Sequence, residues 1–148
     1  MRKLLMGSIA LTIFAAAIAI FQIASCKKAD AQPPSTTSIE GLWIGSYTIN
    51  GQPNSGQQFF SFVIKPDGTV INDTKEANQQ HLSIGAWTLT GDTLTCTTTC
   101  VYGFESNMGI TENHTAIFDK TKGTISNGVW KNVPPLNGSG TFNITKVK

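Results

Sequence analysis

The sequence contains one arginine, Arg2, and none after it. A guanidinium fork grips phosphate or carboxylate at two points at once, so the body of the chain has no such grip. Charge is scarce as well. Asp, Glu, Lys and Arg make up 14% of the residues and the formal net charge is +2. Setting aside Arg2 and Lys3 leaves nine basic residues against nine acidic ones. Nucleic acid binding draws on a basic face that displaces counterions from phosphates, and a neutral chain offers none. Histidine is limited to His81 and His114, and cysteine to Cys26, Cys96 and Cys100. A zinc site would need a third or fourth ligand, for which Asp73 or Glu112 is only loosely placed, so no metal is expected. No serine, histidine and acid stand in a catalytic motif, so no catalytic residue, cofactor or enzymatic activity is expected. After the first residues no helical period extends over more than two turns, which excludes a helical bundle.

What the chain does have begins at its N-terminus. Arg2 and Lys3 form a short positive segment, and no charge follows from Leu4 to Ser25. Small residues, Ala24 and Ser25, stand just before Cys26, as a cleavage site requires. Ile23-Ala24-Ser25-Cys26 resembles the lipobox of bacterial lipoproteins: an aliphatic residue, two small ones and the cysteine. The resemblance implies residues 1–25 as a signal peptide and an acyl-bearing group, palmitate included, on the thiol of Cys26. It also implies a location in the bacterial cell envelope, anchored to membrane lipid. Lys27, where an Asp would signal retention, points to the outer membrane rather than the inner. The rival reading is an uncleaved anchor, since an uncharged run of that length is enough to span a ~30 Å hydrocarbon layer. Both put the rest of the chain outside the cytoplasm.

Residues 26–38 carry two prolines and small polar residues with no apolar period, the composition of an extended tether. Residues 39–148 then suffice for a single domain. They are rich in Thr, Gly and Asn and alternate between apolar and polar. Eight strands are expected: Leu42–Ile49, Phe59–Ile64, Thr69–Asn72, Leu82–Thr90, Thr93–Tyr102, Asn113–Phe118, Thr124–Trp130 and Thr141–Val147. Lys65-Pro66-Asp67-Gly68 reads as a tight turn, because Pro66 presets φ and Gly68 accepts positive φ. Gly91-Asp92 reads as a two-residue hairpin loop, and Asp119 to Gly123 as another turn. Connections one, three, five and seven read as long: 50–58, 73–81, 103–112 and 131–140.

That pattern predicts an all-β domain, an antiparallel up-and-down barrel of eight strands, which closes without exposed edges. Its odd connections gather at one end. Gly41-Leu42-Trp43 resembles the Gly-x-Trp signature that opens lipocalin and avidin-like barrels. The resemblance implies a Trp packed across the closed end. Lipocalins stack a late arginine on that Trp, and here Lys146 or Lys148 would have to substitute.

Cys96 and Cys100 leave two readings open. In a regular strand their Cα atoms stand about 13 Å apart, beyond the ~7 Å reach of a disulfide. Either the strand bends and a local bridge forms, or both are reduced and pack inward with Leu94 and Tyr102. The long-loop end gathers aromatic rings and imidazoles, and Tyr47, Phe60, His81, Tyr102, His114 and Trp130 are the candidate ligand-binding residues. Ring faces beside the amides of Asn50, Asn107 and Asn132 suit a small apolar molecule or a glycan better than a charged one. The function expected is that of an envelope lipoprotein with a small-ligand barrel. The alternative is a structural or interaction lipoprotein, an inhibitor or accessory subunit, with a filled core, an unknown protein partner and no ligand.

Overall fold

A computed structural model of the chain describes residues 36–52, 56–76 and 79–148. The expected signal peptide, the lipobox-like segment at Cys26 and the expected tether up to residue 35 lie outside the described residues. Eight strands form a closed barrel in which each is hydrogen-bonded to the next in sequence and β8 returns to β1. They are β1 (Gly41–Ile49), β2 (Gln58–Ile64), β3 (Thr69–Glu76), β4 (Gln79–Thr90), β5 (Thr93–Tyr102), β6 (Thr111–Asp119), β7 (Thr124–Asn132) and β8 (Ser139–Lys146). Every pairing is antiparallel. One 3-10 turn, Glu105–Asn107, interrupts the fifth connection.

The tight turns form where local chemistry demands them. The Asp67 carboxylate accepts the Thr69 N–H at 2.9 Å, and Gly68 takes a φ of 83°. Asp119 likewise accepts the N–H groups of Thr121 and Lys122, both at 3.0 Å. Such Asx contacts satisfy backbone donors that the hairpin cannot pair. At Gly45 an added Cβ would overlap the carbonyl oxygen of Asn143, so only glycine lets β1 and β8 coil this tightly.

The third connection differs from its expected length. Strands β3 and β4 continue until Glu76 pairs with Gln79, so residues 77–78 alone separate them. Apart from Ala77 the stretch from Asp73 to His81 is polar, and Thr74, Glu76 and His81 line the cavity at the barrel's open end. Alternation persists there without hydrophobicity to reveal it.

Inward side chains fill the barrel from the tight-turn end. Trp43 is wholly buried and donates its indole N–H to the carbonyl of Ile39 at 2.6 Å. Phe118 meets it edge to face at 5.7 Å, and the Lys146 ammonium sits 5.7 Å from its ring centre. Lys146 also donates to the carbonyl of Ser38 at 2.6 Å, so it ties the entering chain to the closed end. Toward the other end Phe60, Phe62, Phe142 and His114 pack ring on ring, with Phe60 stacked on Phe142 at 4.7 Å. An eight-stranded barrel is just wide enough to be filled this way.

Candidate functional site

The filling stops short of the long-loop end. There a cavity of about 150 Å³ opens between Tyr47, Phe60 and Trp130 on one side and Thr74, Ser83 and Cys100 on the other. Glu76, His81, Asn107, Glu112 and Asn132 complete its rim and walls. The position follows from residue size. Strands β1, β2 and β7 bring large rings inward at this level, while β3, β4 and β5 bring Thr, Ser and Cys.

Tyr47 meets Phe60 at 5.9 Å and Trp130 at 6.1 Å between ring centres, the second pair edge to face. Trp130 is held by a hydrogen bond from its indole N–H to the Thr48 carbonyl, at 3.0 Å. The Asn107 amide nitrogen lies 2.8 Å from Nε2 of His81, within hydrogen-bond distance.

Of the six candidate ligand-binding residues, Tyr47, Phe60, His81 and Trp130 line the cavity. Tyr102 does not. It is 63% exposed on the outer surface. Ser83 pairs with Cys100 but Leu82 pairs with Tyr102, which leaves Val101 as an extra residue. Such a bulge reverses the facing of everything beyond it, so Tyr102 turns outward although Leu94, Cys96 and Cys100 face in. His114 lies beneath the cavity, 1% exposed, among the rings of Phe60, Phe62 and Phe142. Its Nε2 is 3.0 Å from the Thr98 hydroxyl and 3.5 Å from the Glu112 carboxylate. Its Nδ1 has no partner. Burial drives its pKa down to about 4, so it is neutral at pH 7.

Glu112 and Glu76 are the carboxylates that the sequence reading did not assign to the site, and Thr74, Ser83, Cys100 and Ile110 also join it unforeseen. Glu112 was noted only as a loose metal ligand. Burial pushes its carboxyl up to about 6, which leaves it ionised at neutral pH but costly to keep so. The Tyr47 phenol is pushed to about 12, first by burial and then by the charges of Glu76 and Glu112. Asp73, the other carboxylate weighed for metal, faces away and accepts both contacts from the Gln80 amide at 3.0 and 3.1 Å. Among the described residues no group of three or more His, Cys, Asp or Glu stands close enough to hold a metal.

Cys96 and Cys100 are both free thiols facing inward from a strand that remains extended between them. Burial raises both thiols, that of Cys96 to about 12, which keeps them protonated and unreactive as nucleophiles. Of the amides foreseen at the mouth, Asn107 and Asn132 line the cavity, while Asn50 bonds outward to the Ser139 hydroxyl at 3.0 Å. Comparison of the chain with protein-family models, with curated proteins and with solved structures finds no match.

Proposed function

We propose that this chain is a lipid-anchored protein of the bacterial envelope whose barrel binds a small, ring-sized ligand at its long-loop mouth. The anchor rests on the lipobox resemblance at Cys26. The ligand reading rests chiefly on the cavity of about 150 Å³ walled by Tyr47, Phe60 and Trp130. A cavity of that order admits one aromatic ring, whereas drug-sized ligands occupy roughly 300–1,000 Å³. Long apolar chains and large cofactors are therefore disfavoured, and a flat apolar molecule or a single sugar unit fits. The chain is read as a binding protein and not an enzyme, since its buried thiols and His114 are held in inert protonation states.

A second reading, an interaction lipoprotein without a ligand, draws support from the rim. Tyr102, Phe104 and Met108 are exposed there, the last two at 50% and 49%, and apolar clusters of this kind favour protein contact. Two experiments separate the parts of the proposal. Replacing Cys26 by Ser should abolish acyl labelling and membrane retention, and normal retention would refute the anchor. Chemical-shift titration with flat apolar compounds and monosaccharides should move Tyr47, His81 and Trp130. Shifts confined to the turns at Asp67, Asp92 and Lys122 would mean that the mouth is the wrong end.

A further inference from the structure

Resting on the reading of the mouth as a ligand site, the structure assigns a charge to what enters: we infer that the ligand is a small organic cation, an ammonium group on a flat apolar body. Its carriers are the two carboxylates and the aromatic rings that line the cavity.

Two carboxylates, Glu76 at the end of β3 and Glu112 at the start of β6, line a cavity onto which, among the described residues, no lysine opens. The histidine on its wall is His81, whose Nε2 is engaged by Asn107. Two N–H donors on the cavity wall are already committed to the protein itself. The Trp130 indole N–H goes to Thr48 and the Asn107 amide to His81. Tyr47 and Trp130 complete the set with aromatic rings that stand edge to face, and the negative face of a ring attracts a cation within about 6 Å. Both carboxylates already act on this space: after burial, their charges are what hold the Tyr47 proton in place.

The groups facing Glu112 are known from every side. His114, on the same strand, is neutral, β5 presents the Cys100 thiol, and β1 presents the Tyr47 phenol. Glu76 comes from β3, the His81 imidazole from β4 and Asn132 from β7. None of these side chains is a lysine. An ammonium ligand would bring a compensating charge into the cavity, and it would favour ionised Glu112.

The full-length protein, titrated with benzylamine and with its neutral isostere benzyl alcohol, tests the inference. At pH about 7.5 the amine should bind at least ~10-fold more tightly, with shifts at Tyr47 and Trp130. Lowering the pH to about 5 leaves roughly a tenth of Glu112 ionised, so amine affinity should fall ~10-fold while that of the alcohol holds. Glu112→Gln should reproduce that loss at the higher pH, and Glu76→Gln serves the same end should the first variant fail to fold. Benzyl alcohol binding as tightly as the amine would overturn the cation and leave a ring-sized site standing. No shift at the mouth with either compound, or with the panel of apolar compounds and sugars, would overturn both readings.

Discussion

Gly140→Ala is the change that most directly couples the barrel to its mouth. Gly140 lies on β8 between Ile49 of β1 and Trp130 of β7. A Cβ there would overlap the Thr48 carbonyl oxygen and Nε1 of Trp130. Those two atoms are the acceptor and donor of the bond that fixes the indole in the cavity wall. A methyl group therefore enters the hydrogen bond itself, and either the indole swings away or β1 and β8 part. Loss of the bond costs about 1 kcal/mol, and forced displacement in packed surroundings adds about 1–3 kcal/mol. A destabilisation of about 2–4 kcal/mol is expected, seen as a lower urea midpoint by circular dichroism with an unchanged slope. The Trp130 indole N–H resonance should shift, and any mouth ligand should bind more weakly. In a Trp130→Phe background the bond is already gone, so the alanine should cost at least ~1 kcal/mol less there, a coupling within the range of contacting residues. Additive effects, or a loss under about 0.5 kcal/mol with the indole signal unmoved, would refute the close approach on which the reasoning depends.

Trp43→Ala removes a fully buried indole together with its bond to Ile39, and should cost about 3–5 kcal/mol in urea melts. A loss below about 1 kcal/mol would put Trp43 outside the core. The pH dependence of stability carries two opposed contributions. The folded pKa of His114 is lowered from 6.5 to about 4, so its contribution is whole above pH 6.5 and is lost as the pH falls toward 4. That of Glu112 is raised from 4.5 to about 6, so the fold gains as the pH falls through the same window. At about 1.4 kcal/mol per unit the two nearly cancel, and the protein should lose only about 1 kcal/mol between pH 7.5 and 4.5. Glu112→Gln leaves His114 unopposed and should lose roughly 2–3 kcal/mol. Superimposable pH profiles for the two proteins would show that these groups are not buried as described.

The parts of the fold that were legible in the sequence are those whose cause is local. The turns at Pro66–Gly68, Gly91–Asp92 and Asp119–Gly123 are set by the residues within them, and they punctuate the chain into the eight strands of the barrel. The tie between Lys146 and Trp43 could be foreseen from the lack of a late arginine. What escaped was set by partners distant in sequence. Nothing near Tyr102 signals that Val101 is an extra residue, because a bulge is a mismatch between two strands and not a property of one. The ends of β3 and β4 escaped for a different reason. A strand whose inner face meets water carries no apolar alternation, so Thr74 and Glu76 read as loop while holding a strict period of two.

That same extension is what changes the chemistry expected of the mouth. With 73–81 taken as loop, the mouth consists of rings and amides, and a neutral ligand follows. With β3 continued to Glu76, a carboxylate is carried to the cavity rim, and Glu112 joins it from the first turns of β6. The vacancy between them is equally a matter of partners. Phe60, Phe62 and Phe142 together with His114 fill the waist, so no cavity runs through the barrel. One level higher, Tyr47 and Trp130 face Thr74, Ser83 and Cys100, and the small side chains cannot reach the rings. The unfilled space is thus as wide as the difference in side-chain length across the barrel, about one ring. Its walls are acidic on the rim and aromatic below. A ligand that matched both would place its charge toward the solvent and its flat body against Tyr47 and Trp130.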